Sequence, residues 1–224
     1  MAHEDIKAFL RRVPLFAGLT EPQFEQLAAG SARRSYPKGR TIVSEGEPSQ
    51  SMYILLAGRA KVQRSDSEGK EVILAVLGSG EYFGEMSLID DSPRSASVIT
   101  LESSEFIAVS KEAFKAMLAQ SPDMAMSVMR GLVRRLREAD KKIETLALLD
   151  VYGRVARVLL DFSEEVNGER IVKNKLPRQD IAKMIGASRE MVSRVMKGLE
   201  VDGYIVPLPE GKLVLREKLA SYIS

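Results

Sequence analysis

The chain has 224 residues, 45% hydrophobic and 29% charged, with a formal net charge of +2, which is room for one or two domains with their own cores. It has no cysteine, which excludes disulfides, thiolate zinc sites and cysteinyl iron–sulfur clusters. A single histidine, His3, weighs against haem or zinc ligation and against most acid–base enzymes, and no apolar run is long enough to span a membrane.

The opening MAHEDIKAFLRRVPLF carries Glu4 and Asp5 and lacks a long apolar core, so no secretory signal is expected and the chain reads as cytoplasmic. Residues 6–30 read as short helices, with Thr20-Glu21-Pro22-Gln23 in the form of a capping box. From Ser35 to Ser110 the pattern turns to short β-rich runs at Arg40–Val43, Met52–Leu56, Ala60–Arg64, Glu71–Leu77, Ser97–Thr100 and Glu105–Val109. Glycine-containing turns separate them, which predicts an antiparallel barrel or jelly roll. Asp66 to Lys70 is a polar hairpin loop, and Lys111 to Gln120 a short helix.

Pro122 to Leu149 predicts one long helix, about 42 Å at the usual rise. Ser121 precedes it as a cap. Apolar residues at Met129, Leu132, Leu136, Ala139, Ile143 and Leu146 alternate three and four apart, a heptad seam flanked by Arg130, Arg134, Arg135, Arg137, Glu138, Lys141, Lys142 and Glu144. The seam predicts a parallel homodimer; the alternative is one amphipathic helix packed on its own domain. A hinge falls at Leu148 to Asp150, where Asp150 caps a helix over Val151–Phe162. A polar loop over Ser163–Asn174, with a short strand near Ile171, then leads to two helices, a hairpin around Pro207–Gly211 and a tail.

Charge is uneven. Between Lys173 and Lys197, seven basic residues face only Asp180 and Glu190, a local +5 on a nearly neutral chain, which is the footprint of a polyanion. Arg178 to Lys197 has helix-turn-helix spacing. Ala182 lets the helices cross, Gly186 makes the turn, and Ile181, Ile185, Val192 and Val195 bury the inner face. Ser188 caps the second helix, whose outer face presents Arg189, Glu190, Ser193, Arg194 and Lys197. Arginine reads guanine and glutamate accepts from cytosine. Lys175, Arg178, Gln179 and Lys197 suit phosphates.

A second constellation lies in GEYFGEMSLIDDSPRSASV, residues 80–98. Gly84 opens a short helical segment containing Glu85, and Arg94 and Ser95 follow Pro93. An arginine and a hydroxyl beside free amides hold a phosphodiester, while Glu85 accepts from a sugar hydroxyl, so the combination fits a nucleotide with a free ribose hydroxyl. The same spacing equally fits a charged turn in which Arg94 pairs with Asp90 or Asp91.

FGEMSLIDDSPRSASV resembles the phosphate-binding cassette of cyclic-nucleotide-binding domains. With the long helix, LALLDV and LPRQDIAKMIGASREMVSRVMKGLE, the whole chain resembles the cyclic-AMP receptor protein (CRP/FNR) family of bacterial transcription regulators, which are not enzymes. The resemblance implies an α+β architecture. A cyclic-nucleotide-binding jelly-roll β-barrel would occupy residues 1–120, a dimerisation helix and hinge 121–149, and a winged helix-turn-helix 150–224. It places Gly84, Glu85, Met86 and Ser87 at the cyclic ribose-phosphate, with Glu85 on the 2′-hydroxyl, and Arg94 and Ser95 at the phosphate. Arg189, Glu190 and Arg194 would read a palindrome resembling TGTGA-N6-TCACA, with half-sites about 34 Å apart. RNA polymerase would be met by the C-terminal domain, at the 163–174 loop. No cofactor is implied; the effector is cyclic AMP. Effector would bridge barrel and helix, extend or rotate the coil and re-aim the recognition helices.

One departure concerns the base. Where the cyclic-AMP-responsive pattern has a Thr and a Ser on the long helix, this chain has Ala139 and Asp140. Ala139 has no hydroxyl, and an ionised Asp140 accepts without donating. That keeps cyclic GMP, cyclic di-GMP and ligand-independent activity open beside cyclic AMP.

Overall fold

The computed structural model describes residues 2–223, as two compact units that divide between Leu136 and Arg137. The side chain of His3 lies outside the described residues.

The first unit begins with α1 (Ala2–Leu10), a 3-10 turn at Pro14–Phe16 and α2 (Glu21–Ala29). Gln23 reaches back to the Thr20 N–H at 2.8 Å, as the capping-box spacing predicts. Eight strands follow: β1 (Ser31–Tyr36), β2 (Thr41–Val43), β3 (Ser51–Ala57), β4 (Ala60–Ser65), β5 (Glu71–Leu77), β6 (Tyr82–Phe83), β7 (Ser97–Thr100) and β8 (Ser104–Ser110). They form two antiparallel four-stranded sheets, ordered β1-β8-β3-β6 and β2-β7-β4-β5. Val43, Ala60, Leu77 and Val98 of one sheet meet Leu55, Phe83 and Phe106 of the other, closing the jelly-roll interior. Strand alternation sends the neighbouring Met52, Ile54, Ile107 and Val109 to the opposite face. There they pack against Leu10, Phe16 and Leu27, and against Phe114 and Met117 of α4 (Lys111–Gln120).

α5 (Pro122–Leu148) starts where Ser121 Oγ accepts from the Met124 N–H at 3.2 Å. Its first turns pack Met124, Val128 and Leu132 into the core of the first unit. That changes the expected heptad register: Leu132 faces its own unit. The exposed residues Met126, Met129, Val133, Leu136 and Ile143 form a row that keeps Met129, Leu136 and Ile143 of the expected seam and puts Val133 in place of Leu132; Leu146 of that seam is exposed as well. Asp140 occupies the place in that row between Leu136 and Ile143.

In the second unit Asp150 caps α6 (Val151–Asp161) by accepting from the Gly153 N–H at 2.8 Å. The stretch expected as a polar loop with a short strand near Ile171 is a hairpin: β10 (Glu169–Val172) is that strand, and β9 (Glu164–Val166) pairs with it. It joins β11 (Ile205–Pro207) and β12 (Leu213–Leu215) in a sheet ordered β11-β12-β10-β9. α7 (Arg178–Ile185) ends at Gly186 with φ +66°, and α8 (Arg189–Val201) starts at Ser188, whose Oγ accepts from the Met191 N–H at 3.1 Å. Val155, Ala156 and Leu159 of α6 bury the inner faces of α7 and α8, at Ile181, Ala182, Ile185, Val192, Val195 and Leu199. This is a winged helix-turn-helix.

Candidate functional site

The cassette is built around two buried charges of opposite sign. The Arg94 guanidinium is buried; its Nη2 donates to Ser51 O at 2.5 Å and its Nη1 to Gly84 O at 3.2 Å, over the Tyr53 ring. The expected alternative, Arg94 paired with Asp90 or Asp91, does not form: Asp91 binds Lys111 at 2.6 Å and Lys115 at 2.9 Å instead. Gly84 is required here twice over. Its φ is +87°, and a Cβ would lie 2.2 Å from Arg94 Nη1. Burial pushes the Arg94 pKa down from its ordinary value, the cost of holding a cation out of water.

Glu85 is fully buried at the start of α3 (Met86–Ile89). Its Oε1 accepts from Arg135 Nη1 of α5 at 2.5 Å, while its Oε2 has no partner within the protein. Burial pushes the Glu85 carboxyl above its ordinary 4.5, and the Arg135 guanidinium pulls against that. Arg135 also donates to Tyr82 O and stacks over the Tyr82 ring at 4.8 Å. Gly131, the lone glycine of α5, lets this happen: a Cβ there would stand 2.1 Å from the Tyr82 hydroxyl.

Among the expected site residues, Ser87 is buried and donates from Oγ to Pro93 O at 3.2 Å, bracing the turn that presents Arg94. Met86 and Ser95 are exposed. Ala139 and Asp140 lie on the exposed stretch of α5 that belongs to the second unit. Sequence reasoning missed Arg135, taking it for a solvated flank, and missed Tyr82. The signal lay in Gly131, one turn before Arg135, which marks a helix face pressed closely against a neighbour.

In the second unit Arg178, Gln179, Arg189, Glu190, Arg194 and Lys197 are exposed, and Ser193 is half-buried. Among the described residues none of these arginines, nor Lys197, forms an ion pair. The Ser188 hydroxyl is committed to its cap. Lys175 is exposed and its stem runs along the wing at Gly211, where a Cβ would be 2.9 Å from Lys175 Cγ.

Residues 33–121 match the cyclic nucleotide-binding domain and residues 153–222 the Crp-like helix-turn-helix domain. The chain is 36% identical to the cyclic AMP receptor protein of Thermus thermophilus, over 91% of this chain and 93% of that one. The chain belongs to the CRP/FNR family of bacterial transcription regulators. This CRP/FNR protein is also 32% identical to the CRP-like cAMP-activated global transcriptional regulator of Mycobacterium tuberculosis, over 92% of this chain and 93% of the relative. Its fold matches the structure of the c-di-GMP-responsive global regulator CLP of Xanthomonas campestris with a TM-score of 0.73 and 29% identity, over 88% of this chain and 99% of that one. CRP/FNR regulators bind DNA and act as dimers, and no helix among the described residues is long and apolar enough to cross a membrane.

Proposed function

We propose that the protein is a homodimeric transcription regulator whose affinity for a palindromic DNA site is set by a cyclic nucleotide in the barrel of residues 1–120. Residues 121–149 would join the two copies, and residues 150–224 would bind DNA and meet RNA polymerase. The observation that carries the sensor reading is the pairing of a buried Arg94 with a buried Glu85 oxygen that lacks a partner. A phosphodiester anion suits the first, and a ribose hydroxyl donor suits the second. Gly84, Met86, Ser87 and Ser95 shape the same cassette.

Cyclic AMP is the first effector, supported by the named relatives. Asp140 favours a second reading, because an ionised carboxylate accepts from the N1–H and N2–H of guanine, and CLP responds to cyclic di-GMP. Either ligand works only through its different affinity for two states of the regulator.

On DNA, Arg189, Glu190 and Arg194 read base edges in the major groove, with Ser193 beside them. Lys175, Arg178, Gln179 and Lys197 hold phosphates, and Ser188 fixes the start of α8. The site is expected to resemble TGTGA-N6-TCACA. Arg189→Ala is expected to cost about 1–3 kcal/mol on this site and to relax preference at one base pair per half-site. Binding to a panel of single-base variants checks this. A uniform loss across all of them would make Arg189 a phosphate contact.

A further inference from the structure

We propose that Arg154 is the positioning residue that carries the state of the end of α5 into the DNA-reading helices, by holding the carbonyl ends of two helices with one guanidinium. The proposal rests on the regulator reading above only for what the link is used for. Arg154 sits in the first turn of α6. Its Nη2 donates to Leu146 O at 2.7 Å, its Nε to Leu149 O at 3.0 Å and its Nη1 to Ile185 O at 3.4 Å. α5 ends at Leu148 and α7 at Ile185. The three acceptors therefore belong to the last turns of two helices or just follow one, where carbonyls have no intrahelical donor. They are also the negative ends of two helix dipoles, so a cation there is favoured and its hydrogen bonds are charge-assisted.

The base of this side chain is fixed. The Asp150 carboxylate accepts from the Gly153 N–H at 2.8 Å, and on the other side a Cβ at Gly153 would stand 2.7 Å from Tyr222 O. The first turn of α6 is pinned from both directions, and the guanidinium is the part free to respond. Beyond Ile185 the chain turns at Gly186 and reaches Ser188, whose hydroxyl sets the first turn of α8. A shift in the last turn of α5 thus pulls on the group that also holds the start of the recognition turn. A lysine cannot substitute, because a single ammonium lacks the planar fork that spans three carbonyls.

Hydrogen exchange on the full-length dimer tests the link without effector. The probes are the Leu149 amide, bonded to Thr145 O at 3.1 Å, and the Ala187 amide, bonded to Ala182 O at 3.1 Å. In Arg154→Met both are expected to exchange at least about tenfold faster while the buried α8 amides stay protected. Tightening of DNA binding by cyclic AMP is expected to fall at least about fivefold, with the affinity for cyclic AMP in the absence of DNA unchanged. Faster exchange at Leu149 alone would make Arg154 a local helix cap and overturn the proposal. So would faster exchange at both amides with full cyclic AMP coupling. If Arg154→Met unfolds the second unit, Arg154→Lys is read at the same two amides, with the same expectation. If the unsubstituted protein answers neither cyclic AMP nor cyclic di-GMP, the regulator reading fails, and the exchange pair still decides whether Arg154 links the two helix ends.

Discussion

Arg94→Ala is expected to lower affinity for the effector at least about 100-fold, or about 2.7 kcal/mol, and to change effector-free DNA binding less than about twofold. The physical basis is the depth of the guanidinium. An exposed arginine loses little when truncated, because water replaces it. Arg94 is 6% exposed and forks between Ser51 O and Gly84 O. Each charge-assisted bond from such a group is worth about 1.5–3 kcal/mol. A bound phosphodiester would meet a cation already desolvated and oriented, so its removal costs most of the binding. Losing the donor also leaves two half-buried carbonyls poorly satisfied, so a thermal scan must accompany the titration. Arg94→Lys keeps the charge but not the fork, and an intermediate loss is expected. Calorimetric titration with cyclic AMP gives the answer. Affinity within about threefold of the unsubstituted protein would place the phosphate elsewhere.

Leu136→Lys is expected to split the homodimer and to weaken binding to a two-half-site duplex at least about 100-fold, because the half-sites are then bound by unlinked copies. Met126, Met129, Val133, Leu136 and Ile143 are 45%, 49%, 50%, 62% and 65% exposed. Their spacing follows one seam, the pattern that a second copy of the same helix buries. Leu136 belongs to none of the core clusters among the described residues, so the fold of each unit should survive the lysine. Leu132→Lys is the contrast. Leu132 packs against the core that holds Met124, Val128 and Phe114, so a charge there should unfold the first unit. Sedimentation velocity separates the two outcomes. A dimeric Leu136→Lys protein would move the twofold contact off this row.

Much of this organisation was legible before the structure. β5 and β7 begin and end with the β-rich runs between glycine turns, α4 spans the expected Lys111–Gln120, and α7 and α8 fall on either side of Gly186 as expected. What was not legible depends on partners distant in the chain. β1 reads SARRSY, with no apolar alternation; it is a strand because β8 pairs with it throughout, and Arg33 salt-bridges Glu105 there. β6 is two residues held by Tyr53 and Ile54. One place of the heptad seam changed, because Leu132 and Val133 lie on adjacent rows and only packing against the first unit's core decides which is left outside; Met129, Leu136, Ile143 and Leu146 are exposed as the spacing predicts. Arg135 looks like any flanking charge until Glu85, fifty residues earlier, is brought to it.

The most direct test of the regulator reading is fluorescence anisotropy on a labelled TGTGA-N6-TCACA duplex at one fixed salt concentration, with and without cyclic nucleotide, since phosphate contacts make affinity steeply salt-dependent. Binding is expected to be at least about tenfold tighter with cyclic AMP, about 1.4 kcal/mol of coupling. The same affinity without ligand and with cyclic AMP, cyclic GMP or cyclic di-GMP would contradict it.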